Sequence, residues 1–336
     1  MSDVIAVDLG GTNIRAARVD ASGCILARDK VSTLAAEGMG AVVGRIADLI
    51  QRLKTPDTVA VGIGTPGVPD QITGEMRLPA VNLPGSANFP LTSTLATRVA
   101  LPVVADNDGN LAALGESWLG AGKDEPVVLI FTLGTGIGGG CVVNGQVYHG
   151  HHNLGTEFGH LSIDWNGRKC GCSGIGCVEL YSSASALGRD ARDALRNGLS
   201  SDKTSTLSAL EIEKSTLLKL CGGPAGIDKV DSHMVWEAVK TGDVLACFLA
   251  DRCCRWLACA MGSLVNSFNP SCVIIGGGMA LAGAPLTSRL HAELDKGRVF
   301  GPIWKDCKLR LAVLGDDAGL LGAARMAWQR QAGVRG

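Results

Sequence analysis

Apolar residues first gather at positions 4–8 and again at 14–19, with Gly10-Gly11 as a turn between them. Two such runs predict consecutive strands, and residues 25–31 predict a third. Over 36–53 the apolar positions recur at helical spacing, and 58–63 is an unbroken run of buried-strand length. A strand follows at 101–105, then a helix that opens at Asn107 and runs to about Trp118. Residues 120–126 have the glycine and proline punctuation of a linker. Beyond it, 127–133 and 141–143 read as strands, with Asn144-Gly145 as a hairpin turn. Residues 183–197 and 231–268 are mostly helical by periodicity, with a polar insert at 198–208 expected to be a loop. Strands at 271–275 and 308–314 and a helix at 317–330 complete the chain.

Strands alternate with helices, but the opening strands are consecutive, so an α/β fold with mixed sheets is expected. No repeat occurs at solenoid or propeller periods. A chain of 336 residues is too long for one ordinary core and suits two domains. Its composition, 46% hydrophobic but only 4% aromatic, predicts cores built from aliphatic and small side chains. A formal net charge of -1 gives no basic face for nucleic acid. The start lacks the charged, apolar and small-residue order of a signal peptide. Twelve cysteines without a paired framework point to reducing cytoplasm.

No Asp, Glu, Lys or Arg lies between Arg255 and Arg289, a stretch long enough to span a bilayer. Asn266 to Ser271 and the glycines at 276–278 interrupt it, so it reads as buried helix, turn, strand and glycine loop. No membrane partner is expected.

The most specific chemistry is a metal pattern. His160 is followed by Cys170, Cys172 and Cys177, three thiolates and an imidazole, the complement of a closed structural zinc site. Glycines at 171, 174 and 176 let so short a loop turn its sulfurs toward one ion. Glu157 and Glu179 bracket the segment; they are either surface acids or caps, or the working groups of a loop that the metal holds in place.

Three glycine turns follow apolar strands: Asp8 to Asn13, Leu133 to Gly140, and Ile275 to Met279. Such turns bring backbone N–H groups close to an anion. Asp8, just ahead of the first, has the place and charge to manage a hydrated magnesium ion. The second contains a literal dinucleotide fingerprint at 134–139, but a hairpin follows where that fingerprint requires a helix, so a nicotinamide enzyme is not expected. No P-loop is present. Asp108 opens a helix and is either a plain N-cap or a reacting group.

Taken in order, Asp8 to Arg15, Gly62 to Gly67, Asn107 to Asn110, Leu133 to Gly140 and the Glu157–Glu179 block resemble the ROK family of sugar kinases and sugar-responsive repressors. The first motif also resembles the phosphate motif shared by sugar kinases, actin and heat-shock ATPases. Gly109 departs from the alanine usual in the family. The resemblance implies a two-lobed, actin-like (ribonuclease H-like) α/β fold with a central cleft and a structural zinc site. It implies a smaller lobe of 1–118 plus about 318–336 and a larger one of 119–317.

The resemblance also implies an ATP-dependent hexose kinase using Mg2+ and a structural Zn2+. Asp108 would be the base that takes the proton of the sugar 6-hydroxyl, and Asn107 would orient the sugar. Glu157, His160 and Glu179 would bind sugar hydroxyls, with Gly67 and Asn82 as further candidates. Asp8, Gly10, Gly11, Thr12, Asn13, Gly134, Thr135 and Gly136 would serve magnesium and the ATP phosphates, and Gly276, Gly277 and Gly278 would border the adenosine. Arg15 is expected to hold the first hairpin. Glucose is the first expected substrate, ahead of N-acetylmannosamine or N-acetylglucosamine, then fructose. A homodimer is expected. Repressors of the family carry a DNA-binding segment ahead of the first motif, and its start at Asp8 leaves no room for one, so an enzyme is expected.

Overall fold

The computed structural model describes residues 2–80, 82–197 and 207–333. In chain order the elements are β1 (Asp3–Leu9), β2 (Asn13–Asp20), β3 (Ile25–Ser32), α1 (Met39–Leu53), β4 (Thr58–Thr65), β5 (Val68–Pro69), β6 (Met76–Leu78), α2 (Leu91–Val99), β7 (Val103–Asn107) and α3 (Asp108–Leu119). They continue with β8 (Val127–Leu133), β9 (Ile137–Val143), β10 (Gln146–Val147), α4 (Glu179–Ser182), α5 (Ala184–Asn197), α6 (Ala209–Glu213), α7 (Thr216–Leu220), α8 (Ser232–Lys240) and α9 (Val244–Phe268). The last are β11 (Cys272–Gly276), α10 (Ala284–Leu294), α11 (Gly301–Asp306), β12 (Lys308–Leu311) and α12 (Ala318–Gln331).

Two compact units result. The first comprises Met1–Ile130, Gly140–Thr156 and Val313–Gly336, and the second Phe131–Gly139 and Glu157–Ala312. Compared with the expected first lobe of 1–118 plus about 318–336, the first unit also takes in 119–130, 140–156 and 313–317. Within it, fully buried Glu116 gathers part of this extra chain. Its Oε2 accepts the Ala121 N–H at 2.8 Å, and its Oε1 accepts those of Val313 and Leu314 at 3.0 and 2.8 Å. The same bonds explain why the strand expected over 308–314 stops at Leu311: those two amides are committed to a carboxylate.

The first unit has a five-stranded sheet in the order β3-β2-β1-β4-β7. β1–β2 and β2–β3 are antiparallel, while β1–β4 and β4–β7 are parallel, so the expected mixed sheet is observed. Against it lies α1, whose Val42, Ile46, Leu49, Ile50 and Leu53 are buried at helical spacing among Ile5, Val7, Ile63 and Leu95. Each such side chain contributes about 1.5–3 kcal/mol by leaving water. In the same unit α12 packs without room for side chains. A β-carbon on Gly62 would stand 2.0 Å from the Ala323 carbonyl oxygen, and one on Gly322 1.8 Å from that of Leu111. Glycine is required at both contacts, the first seating α12 on β4 and the second on α3.

A second five-stranded sheet has the order β10-β9-β8-β11-β12. β9 begins at Ile137, so Gly138, Gly139 and Gly140 lie in a strand, not in the loop expected up to residue 140. The reason is close packing: a β-carbon on Gly140 would stand 2.9 Å from the Gly109 carbonyl oxygen and 2.6 Å from the Ala113 β-carbon. Asn144 and Gly145 both have positive φ, 49° and 74°, and turn the chain into β10 as expected. The helical stretch at 231–268 divides into α8 and α9 at Gly242, whose φ is +75°, and Asp243 caps α9 by accepting the Ala246 N–H at 2.7 Å. Of the expected polar loop at 198–208, residues 198–206 lie outside those described. No helix among the described residues is long and apolar enough to cross a membrane.

Candidate active site and metal centre

In the first unit the sheet register sets the chemistry. Asp8 of β1 lies opposite Gly64 of β4, and Gly64 opposite Asp106 of β7. The carboxyl ends of three parallel strands therefore share one edge, where ligands bind in open α/β sheets. From that edge the chain turns at Gly10, whose N–H bonds the Asn13 carbonyl at 3.0 Å. Thr33, fully buried, braces this loop: its hydroxyl donates to the Gly10 carbonyl at 2.6 Å and its N–H to that of Thr12 at 2.8 Å. Arg15, the cross-strand partner of Asp8, donates from Nε to Asp8 Oδ2 at 3.0 Å, so it does hold the hairpin and the acid together. Asn82 comes to the same loop. Its Nδ2 would stand 2.5 Å from a β-carbon on Gly11.

The turn from β7 into α3 settles which residue caps the helix. Asn107 does: its Oδ1 accepts the Gly109 N–H at 2.9 Å, and its Nδ2 donates to the Gly67 carbonyl at 3.0 Å. Gly67, with φ +79°, could not carry a side chain, because a β-carbon would meet the Leu78 carbonyl oxygen at 2.5 Å. Asp108 is exposed, and its Oδ1 accepts the Gly109 N–H at 2.8 Å.

The second unit holds the other two glycine loops and the metal pattern. The Gly134 N–H bonds the Gly136 carbonyl at 3.0 Å, and the Gly134 carbonyl accepts from Ala184 at 2.8 Å. Gly277, φ +78°, comes so close to this loop that a β-carbon would meet the Leu133 carbonyl oxygen at 2.6 Å. Thr135 is exposed beside Gly136, and Gly276 and Gly278 flank Gly277, with open space over Gly278.

His160, Cys170, Cys172 and Cys177 come together with one ligand atom each, all within 4.8 Å of one another. Cys172 and Cys177 sulfurs are 3.6 Å apart, and Cys170 Sγ is 3.8 Å from His160 Nδ1. A tetrahedron with zinc–sulfur bonds of about 2.3 Å has edges of about 3.8 Å, so the donor set fits zinc. The loop turns through Cys170 N–H on the Gly174 carbonyl at 2.9 Å and Ser173 N–H on the Cys170 carbonyl at 3.1 Å. Tyr181 supports it from beneath, its hydroxyl accepting the Arg168 N–H at 2.7 Å. Burial, then hydrogen bonds from Cys172 and Cys170, pushes the Cys177 thiol up to about 12. Burial also raises Cys170, whereas the Gly174 N–H draws Cys172 below its ordinary value.

Glu179 opens α4 directly beside this cluster, its Oε1 3.3 Å from Cys170 Sγ and 3.6 Å from His160 Nδ1. Glu157 precedes a single 3-10 turn, Phe158–His160, fastened by Phe158 against Phe131 with ring centroids 5.2 Å apart. Sequence reading missed Thr33, Asp106 and His149. Thr33 carries no motif of its own, and Asp106 stands one place outside the recognised turn.

These features define a sugar-kinase type of α/β protein with a cysteine–histidine cluster that fits zinc. The ROK family signature matches residues 4–330. The chain is 35% identical to a glucokinase from Thermotoga maritima over 98% of each chain. Among solved structures, a ROK hexokinase from Thermus thermophilus superposes with a TM-score of 0.77 at 32% identity, covering 98% of this chain and 99% of that one. A ROK family glucokinase from Streptomyces griseus, in complex with glucose and AMPPNP, superposes with a TM-score of 0.76 at 32% identity, covering 98% and 100%. The chain belongs to the ROK family.

Proposed function

We propose that the protein is an ATP-dependent kinase that phosphorylates the 6-hydroxyl of a hexose, glucose by preference. The observation that carries this is the strand register that sets Asp8 and the Asp106–Asp108 turn along one sheet edge. Two acids there, each beside a glycine-bearing turn, suit the two needs of phosphoryl transfer, charge neutralisation and a proton acceptor. The similarity to glucokinases over 98% of the chain supports the choice of sugar.

Asp108 accepts the proton of the 6-hydroxyl as its oxygen attacks the γ-phosphoryl group; the O–P bond to the new acceptor forms and the bond to ADP breaks. Asn107, held by Gly67, orients the sugar hydroxyls, with Asn82 contributing from beside the first glycine loop. Gly10, Gly11, Thr12 and Asn13 and Gly134, Thr135 and Gly136 face the phosphates, the N–H groups of Gly10 and Gly134 fixing the two turns, and Gly276 to Gly278 border the adenosine. Asp8 would hold the hydration shell of a magnesium ion, which supplies charge neutralisation when bound. Zinc, when bound by His160 and the three cysteines, supplies rigidity: Glu179, Glu157 and the remaining ring nitrogen of His160 then present a preset pattern to the sugar.

We place the protein in a reducing cytoplasm as a homodimer; a sequence of twelve cysteines without a paired framework supports that compartment. The test is ATP consumption with magnesium across glucose, mannose, fructose, N-acetylglucosamine and N-acetylmannosamine. Glucose should give the highest kcat/KM. A higher value for an acetamido sugar would displace the substrate assignment, and silence on every sugar would displace the kinase.

A further inference from the structure

A buried acid that takes no part in the chemistry above stands next to the pair that does. Asp106 is 1% exposed, one residue before Asn107. Its Oδ1 accepts the Asn107 backbone N–H at 2.7 Å and the Asn110 side-chain amide at 3.0 Å. Its Oδ2 lies 2.6 Å from Nε2 of His149. A carboxylate offers only lone pairs, so the ring donates through Nε2. Asn110, itself buried, accepts the Thr156 hydroxyl on Oδ1 at 3.1 Å.

The groups tied to this carboxylate are specific. On one side is the amide of the helix cap that carries Asp108. On the other is His149, one end of a short loop whose far end, Thr156, meets Asn110 and not the carboxylate; the Gly155 N–H on the His149 carbonyl at 2.9 Å draws the two ends together. Glu157 is the next residue of the chain. A plain buried cap would need the first bonds and not the second. Here one carboxylate takes three N–H donors from two segments, each leading to a residue assigned to the sugar.

We infer that Asp106 and His149 are positioning residues for the phosphoryl transfer, fixing the turn that aims Asp108 and tethering to it the loop that leads to Glu157. This rests on Asp108 acting as the base. Neither residue touches the reacting atoms; they act through the backbone of Asn107 and the loop closure. Without the tether the turn drifts, and a displacement of about 1 Å costs about 100-fold in rate.

The experiment compares Asp106→Ala, Asp106→Asn, His149→Ala and His149→Gln in the full-length, zinc-loaded protein, with glucose and ATP kinetics and thermal melting. His149→Ala should lower kcat by about tenfold or more while KM for ATP stays within about twofold and the melting temperature stays near wild type. His149→Gln, which retains an N–H donor, should restore most of that loss. Asp106→Asn keeps an acceptor for Asn107 and Asn110 and can donate to the other imidazole tautomer, so its kcat should exceed that of Asp106→Ala.

An unchanged kcat in His149→Ala overturns the inference, as does a loss that glutamine fails to relieve. So does a parallel rise of both KM values with a lower melting temperature, the mark of general loosening. Should Asp106→Ala not fold, the histidine pair decides. A folded wild-type protein without sugar-dependent turnover would overturn the kinase reading and this role with it; wild-type turnover matched by His149→Ala overturns the positioning role alone.

Discussion

Oε2 of Glu179 stands 2.8 Å from where a β-carbon on Gly136 would lie. The second glycine loop and the acid of the metal segment therefore occupy adjoining space, and the glycine is what lets them. Gly136→Ala should push Glu179 aside and lower kcat/KM for glucose by about 10-fold to 100-fold. Circular dichroism should remain that of wild type. Gly40→Ala is the comparison, since nothing lies within 4 Å of its β-carbon position and its helix would gain up to about 1 kcal/mol.

Asp108→Asn removes the proton acceptor without changing shape. kcat should fall by about 10²-fold to 10⁴-fold, while glucose affinity measured calorimetrically stays within about threefold. Loss of binding to the same degree would assign Asp108 to recognition.

Cys172→Ser deletes one of the four proposed zinc ligands. Metal content should fall well below one zinc per chain, and KM for glucose should rise by more than KM for ATP, because the loop that carries Glu179 loosens. Chelation of the wild-type protein should reproduce the effect, and added zinc should reverse it. Unchanged sugar affinity in zinc-free protein would separate metal from recognition.

Glu116→Gln places an amide NH2 against backbone N–H donors now shared by two carboxylate oxygens. At least one buried N–H loses its partner, at a cost of about 1–3 kcal/mol. Urea unfolding should show the loss in the midpoint, with the catalytic constants unchanged at temperatures where the variant is folded.

Much of this was legible in the chain because its signals are contiguous. The candidate metal ligands fall within eighteen positions, and their spacing alone pointed to the grouping of His160, Cys170, Cys172 and Cys177 that is observed. The opening strands read correctly since the first two apolar runs each end at a glycine-bearing turn. What stayed hidden depends on partners distant in sequence. Asp106 and His149 are 43 positions apart and meet through tertiary packing. β9 reads as a glycine loop at 138–140, because nothing local announces that α3 lies over Gly140. α2 went unread because a nine-residue helix shows its burial only at Leu91, Leu95 and Val99. Thr135 and Asp108 are exposed, so the fold alone does not call for them.

On the proposed mechanism, this chain transfers phosphate from ATP to the 6-hydroxyl of glucose with Asp108 as the base. Phosphorus NMR of the product from ATP, magnesium and glucose tests it most directly. A single new phosphomonoester on carbon 6, formed by the wild-type protein and absent with Asp108→Asn, is the predicted result. Phosphate released as the free ion, attached elsewhere on the sugar, or transferred equally well by Asp108→Asn would contradict it.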